Sequence, residues 1–285
     1  MIIKDDFELT EYNSYRIEAF CSKAIFPELE DELLLFFKEN IAVPKIILGN
    51  GNNIIFSKQK YEELFVIFNG TFDAIEVYKD EIIALAGATM LQLSTIALQN
   101  SLSGFEIFYD IPSSVGGAIV MNAGANGEEI SALLKRVRYL DLEDMEIKEI
   151  TKQDINFEYR NSFFQKFKDK IILKAWFHLK QGNPFIIKAK METIKQNRWA
   201  KQPREFPSCG SVFKRPENHY VGAMVEELNL KGLTIGGAQI SEKHGGFIIN
   251  RNNATGEDIL KIIKIIQEKV KESFKLDLEI EPKII

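Results

Sequence analysis

The stretch "DIPSSVGGAIVMNAGANGEEIS" (110–131) constrains this chain more than any other. It is too apolar for a solvated linker and too glycine-rich for a regular helix. Gly116, Gly117, Gly124 and Gly127 let backbone approach a ligand closely, and Ser113, Ser114, Asn122 and Asn126 offer uncharged hydrogen-bonding groups. The competing reading is a tightly packed sheet corner. Both readings require something to come close to this backbone.

A second glycine and asparagine cluster stands at "GNGNN" (49–53), between two apolar strands in "PKIILGNGNNIIF" (44–56). It lacks the Gly-Lys-Ser/Thr ending of a Walker loop. Ile54 stands where a dinucleotide fingerprint would carry its third glycine. Two readings remain: an ordinary hairpin turn, or a nest of N–H groups suited to a pyrophosphate. Two such loops in one region could grip both phosphates of a dinucleotide without a cationic side chain.

The rest of the chain reads as interspersed strands and helices with no clean βαβ rhythm. "EIIALAGATMLQLSTIALQN" predicts a strand, a glycine turn and a helix from about Thr89 to Asn100. "VRYLDL" and "KIILKAWFHLK" predict strands around the loop "FEYRNSFF", and a polar helix is expected over about 184–200, with a domain boundary near it. "GAMVEELNLKG" predicts a short helix closed by Gly232, and "GGFIIN" a strand. Thr255 is an N-cap candidate, with Glu257 and Asp258 in the first turn. The helix behind it buries Ile259, Ile262, Ile263, Ile266, Val270 and Phe274.

Composition removes several classes of function. The net charge is −5 with acids and bases mixed, so no basic stripe points to nucleic acid. No apolar run approaches the roughly 20 residues of a membrane span, and the start "MIIKDDFELTEY" lacks the apolar core of a signal peptide. Cys21 and Cys209 lie far apart and form no disulfide framework, so a cytoplasmic location is expected. His178, His219 and His244 have no ligand spacing with one another or with cysteine, and no metal site is expected. "EYRNS" (158–162), "NRWAKQP" (197–203) and "SCGSVFKRP" (208–216) are each weak alone; a solvated cation is the default for Arg160, Arg198 and Lys201. Ser211 is open to reading as a nucleophile or as part of a phosphate cradle, although no G-x-S-x-G elbow surrounds it.

Taken together, the ordered stretches resemble the UDP-N-acetylenolpyruvoylglucosamine reductase family, flavoenzymes that complete UDP-N-acetylmuramate for peptidoglycan. "NSYRI", "LGNGNNIIFS", "IPSSVGGAIVMNAGANGEEIS", "YRNSFF", "KQP", "SCGSVFKRP", "GGAQISEKHGGFIIN" and "LEIEPKII" carry the resemblance over nearly the whole chain. The short segment after Arg160 resembles the shorter form of the family. Glu18 and Ala19 stand where the family usually has two glycines. Asp110 and Ser113 replace the glycines of its usual Gly-Ile-Pro-Gly, and Lys283 replaces a common arginine.

The resemblance implies an α+β fold: a p-cresol-methylhydroxylase-type two-subdomain FAD-binding region, 1–70 and 71–190, and a C-terminal α+β substrate-binding domain, 191–285, whose last residues return to the first subdomain. It implies non-covalent FAD as cofactor and NADPH as co-substrate. The flavin contacts would come from Leu48, Gly49, Asn50, Gly51, Asn52 and Asn53, and from Ile111, Pro112, Ser113, Ser114, Gly116, Gly117, Ala118, Asn122, Ala123 and Gly124. Hydride would reach C3 of the enolpyruvyl group, and Ser211 would give a proton to C2. Arg160 and Glu281 would hold the substrate carboxylate and stabilise the charge-rich intermediate, with the pKa of Glu281 perturbed. Tyr159, Lys201, Lys214 and Arg215 would bind the nucleotide sugar, and a monomer without nucleic-acid or membrane partners is expected. Two alternatives stand beside this: a same-fold FAD oxidoreductase with another substrate, and a non-catalytic nucleotide-sugar binding protein.

Overall fold

The computed structural model describes residues 1–40 and 43–285. The chain forms two compact units and passes between them repeatedly. One unit comprises Met1–Asp5, Lys23–Asn50 and Glu63–Gln196, and the other Asp6–Ser22, Gly51–Glu62 and Asn197–Ile285.

The first unit is built on a five-stranded antiparallel sheet. Its strand order is Glu146–Thr151, Leu134–Asp141, Lys170–His178, Glu81–Leu85 and Ile75–Tyr78. The central strand reads "KIILKAWFH", rich in the β-branched and aromatic residues that suit a pleated surface buried on both sides. Ile171, Ile172, Leu173, Ala175 and Phe177 are all buried, and Phe105 meets Phe177 edge-on at 5.2 Å. Lys45–Leu48 pairs in parallel with the second half of Lys60–Ile67.

The helices of this unit have local causes. Helix α1 spans Glu30–Glu39 and buries Leu33 and Phe37. Helix α2, Met90–Gln99, starts at a capping box in which Thr89 and Gln92 satisfy each other's backbone N–H. A six-residue helix α3, Val115–Val120, lies inside the glycine-dense stretch, capped by the Ser114 hydroxyl. That differs from the expectation of no regular helix there. Gly116 lets the helix come close to Ala86, just past the strand Glu81–Leu85: a Cβ at 116 would lie 3.3 Å from it. The short helix α4 is Phe163–Lys166. Helix α5, Pro184–Lys201, carries the chain from the first unit into the second.

In the second unit, helix α6, Val221–Glu227, precedes a three-stranded antiparallel sheet of Thr234–Ile235, Ala238–Ile240 and Ile248–Asn250. Helix α6 ends before Gly232, the expected closing residue, because Leu228 and Asn229 already take over its last carbonyls. Helix α7, Gly256–Phe274, packs on this sheet, starting at the expected Thr255 cap with Asp258 completing the box. Ile259, Ile262, Ile263, Ile266 and Val270 are buried, and Phe274 is half-buried. The chain end returns to the same unit, where Lys283–Ile284 pairs in parallel with Ile54–Ile55. The strands flanking "GNGNN" therefore do not form a hairpin: one pairs with residues 64–67 and the other with the C-terminus.

Candidate functional site

The "GNGNN" loop divides between the units, with Leu48, Gly49 and Asn50 in the first and Gly51, Asn52 and Asn53 in the second. Gly51 has φ +66, and a Cβ there would fall 1.9 Å from the Tyr12 carbonyl oxygen, so no other residue fits. Ser14 N donates to the Gly51 carbonyl at 3.0 Å, which fastens the loop to the opening "NSYRI" segment. Asn53 Nδ2 donates to the Glu281 carbonyl at 3.2 Å, and Lys283 N donates to the Asn53 carbonyl at 2.9 Å. That side chain therefore anchors the C-terminal segment.

In the first unit, Gly49 meets the second glycine stretch. A Cβ on Gly49 would lie 2.4 Å from Ser114 Oγ, so the loops approach at backbone-to-hydroxyl distance. The N–H groups of Val115 and Gly116 donate to the carbonyls of Ala88 and Ala86, and Gly117 N donates to Ser114 Oγ at 3.2 Å. Gly124 lies against the Glu128 carbonyl, where a Cβ would come within 2.0 Å. Much of the glycine in 110–131 thus serves close internal packing. Ile111 and Pro112 precede the cap, and Ala118 lies buried in helix α3.

Arg160 is built onto the end of this stretch. Its backbone sits at φ 54, and its guanidinium donates to the carbonyls of Asn122 at 3.3 Å and Gly124 at 2.8 Å. Asn122 is buried, and its amide donates to Glu129 at 2.6 Å and to the Glu158 carbonyl at 3.0 Å. The Tyr159 ring lies 4.9 Å from the Arg160 guanidinium carbon. The structure thus brings Tyr159, Arg160, Asn122, Ala123 and Gly124 together.

Ser211 belongs to the second unit and lies in an extended segment held on both edges. On one edge Val212 N donates to the Gly246 carbonyl at 3.1 Å, and Ser211 pairs with Phe247. On the other, Glu281 N donates to the Val212 carbonyl and Lys214 N to the Glu279 carbonyl, both at 2.9 Å, with Phe213 paired to Ile280. Gly210, at φ +87, bends the chain into this ladder and leaves Ser211 exposed. Ser211 and Glu281 thereby come onto neighbouring segments although they are far apart in sequence. Lys214 Nζ is ion-paired with Glu279 at 2.5 Å. The Arg215 guanidinium stacks on the Tyr220 ring at 3.9 Å, and Lys201 lies exposed at the end of helix α5.

Beneath the ladder lies a pair of groups that sequence reasoning missed. Tyr15 is fully buried beside Cys209. Burial pushes the Tyr15 phenol well above its usual range, and the neighbouring cysteine adds to this. Burial pushes the Cys209 thiol up to about 12; the Tyr15 hydroxyl pulls it back, and the Glu281 charge raises it further. Cys209 is therefore an inert thiol at neutral pH. No sequence signal joins residues 15 and 209. Elsewhere, Asp141, Glu143 and Asp169 converge within 4.8 Å. Lys170 already holds them, at 2.6, 3.4 and 2.5 Å respectively.

Comparison with known proteins settles the family. The FAD binding domain model matches residues 25–151, and the model of the UDP-N-acetylenolpyruvoylglucosamine reductase C-terminal domain matches 202–285. The UDP-N-acetylenolpyruvoylglucosamine reductase of Francisella tularensis is 43% identical over 97% of this chain and 98% of its own. The chain belongs to the UDP-N-acetylenolpyruvoylglucosamine reductase family. A second reductase, from Caldanaerobacter subterraneus, is 42% identical over 97% of this chain and 91% of its own. The crystal structure of the reductase from Thermus caldophilus superposes with a TM-score of 0.85 at 27% identity, covering 99% of each chain. The enzyme is an FAD-dependent oxidoreductase with the expected α+β fold, an FAD-binding domain and a C-terminal domain. Among the described residues no helix is long and apolar enough to cross a membrane.

The two loops fit FAD on their own chemistry. Asn50 Oδ1 is buried without a hydrogen-bond partner and leaves an acceptor for a ligand N–H or O–H. Gly49 and Ser114 pack so closely that any side chain at 49 would strike the serine hydroxyl, which keeps the two loops together. Leu48, Gly49, Asn50, Ser113, Ser114 and Gly117 are the first-unit residues that could hold it.

Proposed function

We propose that this reductase converts the enolpyruvyl ether of a UDP-sugar to UDP-N-acetylmuramate, with Ser211 as proton donor. The residues of the two glycine loops would hold FAD non-covalently, and FAD reduced by NADPH would supply a hydride for C3 of the enolpyruvyl group. Ser211 gives its hydroxyl proton to C2, where negative charge has accumulated. A serine is a weak acid in water, but a carbanionic carbon is a strong base, which lowers the acidity required. Arg160 and Glu281 hold the substrate carboxylate. Tyr159, Lys201, Lys214 and Arg215 bind the nucleotide sugar, the cations suiting its diphosphate. On this reading 1–70 and 71–190 are the FAD-binding subdomains and 191–285 the substrate domain. The enzyme works as a cytoplasmic monomer in peptidoglycan-precursor synthesis.

The observation that supports this reading most is the ladder, in which Glu281 N reaches the carbonyl of the residue next to Ser211. The long-range return of the C-terminus brings Glu281 onto the segment beside Ser211, which supports giving its carboxylate this role. The test uses the two half-reactions separately. Ser211→Ala is expected to leave flavin reduction by NADPH unchanged and to slow reoxidation by the enolpyruvyl substrate by about 10²–10³. Stopped-flow traces with both halves slowed equally would remove Ser211 from this role.

A further inference from the structure

We propose that His244 is a positioning residue for the Ser211 segment: its ring holds the glycine turn that docks on Val212, and protonating the ring releases that turn. The inference rests on the role of Ser211 proposed above. His244, Gly245, Gly246 and Phe247 form a tight turn in which Phe247 N donates to the His244 carbonyl at 3.0 Å. Both central residues are glycines, which by themselves hold a conformation weakly. Yet this turn is one of the two edges that fix Ser211: the Gly246 carbonyl accepts from Val212, and Phe247 pairs with Ser211 itself.

The missing rigidity comes from the histidine. Gly246 N donates to His244 Nδ1 at 3.1 Å. The ring nitrogen thus does what an Asn or Asp side-chain oxygen does when it accepts from the N–H two residues on. One polar group of Gly246 is held by His244 and the other holds Val212. The ring is fixed in turn. It stands edge-on to Phe247 with centroids 4.8 Å apart, and its Cε1 lies 3.4 Å from where a Gly222 Cβ would be. The backbone N–H groups of Lys243 and His244 both donate to Ser241 Oγ, at 3.1 and 3.3 Å.

An imidazole accepts at Nδ1 only when it is neutral and carries its proton on Nε2. A proton on Nδ1 would set two donors against each other and break the bond to Gly246. The charged groups around the ring are Lys231, paired with Glu226 of helix α6 at 3.1 Å, and the neighbours Glu242 and Lys243; Lys243 Nζ donates to the Trp199 carbonyl. Burial holds the His244 pKa below the ordinary imidazole value; its own backbone opposes this and Lys231 reinforces it. The accepting form is therefore kept at neutral pH and lost as pH falls through that lowered value.

The test compares the FAD-loaded wild type, His244→Asn and His244→Phe between pH 5 and 8. Two quantities are followed: hydrogen-exchange protection of the Val212 amide, and reoxidation of the reduced enzyme by the enolpyruvyl substrate. In the wild type both fall together on the acid side. His244→Asn rescues both at neutral pH and abolishes the acid-side loss, because its oxygen accepts without titrating. His244→Phe fills the space without an acceptor. It loses protection and slows reoxidation on the order of tenfold at neutral pH, with reduction by NADPH unchanged. Equal Val212 protection in all three proteins at every pH overturns the proposal, and this readout is independent of what Ser211 does. Protection that changes as expected with reoxidation unaffected also overturns it. Ser211→Ala measured alongside then separates a fault in the coupling from a fault in the serine's role.

Discussion

The five-stranded sheet of the first unit and the Ser211 ladder of the second are both β pairings, but they are made for different work. In the sheet, Lys170–His178 is paired along most of its length on both edges and is buried on both faces. In the ladder, isolated bridges hold residues 211–214 between 246–247 and 279–281, and Ser211 faces solvent. The sheet distributes its stabilisation over many apolar contacts. The ladder spends a few backbone hydrogen bonds on aiming polar groups. Side-chain removal should therefore cost stability in the first and rate in the second.

Phe177→Ala is the strongest challenge to the sheet. The side chain is fully buried against Phe105, so its loss should destabilise the enzyme by about 3–5 kcal/mol. Urea unfolding would measure this, and a change below about 1 kcal/mol would show that the sheet does not carry the core. In the ladder, Glu281→Gln should keep the fold and the bound FAD while lowering turnover at least about a hundredfold, roughly 2.7 kcal/mol. Near-wild-type turnover with FAD still bound would take Glu281 out of the site.

A third comparison uses acid. Burial pushes Asp141 up, but Lys170 and Lys148 more than offset it and hold the carboxyl at about 2. Its folded pKa lies below the ordinary value of 3.8, so its contribution is present above that value and is lost as pH falls toward 2. The thermal midpoint should drop over that window, and Asp141→Asn should start lower and drop less. An identical drop in the variant would remove Asp141 from acid unfolding. The smallest effect is expected at Glu279, two residues before Glu281. Its pair with Lys214 is solvent-exposed on the glutamate side, so Glu279→Gln should change stability by less than about 1 kcal/mol and turnover far less than Glu281→Gln does. Equal losses for the two glutamates would mean that the whole C-terminal segment, and not one carboxylate, had been disturbed.

The sequence by itself determined what depends on near neighbours. Thr255 with Asp258 and an isoleucine stripe specify helix α7, and Thr89 with Gln92 starts helix α2, because caps and faces are written within a turn or two. Apolar patterning located strands at "VRYLDL" and "KIILKAWFHLK", which the structure bounds as Leu134–Asp141 and Lys170–His178. The ordered glycine and serine stretches identified the family, since each is a short local pattern. Only the tertiary structure decided who pairs with whom. It showed that the strands around "GNGNN" part company, and that a short helix runs through the glycines with Gly116 packed close on Ala86. It also showed that Asn53 ties down Glu281 from 228 residues away, and that Tyr15 lies buried against Cys209. Each of these contacts is selected by burial and backbone satisfaction across long loops, and neither quantity exists until the chain has closed on itself.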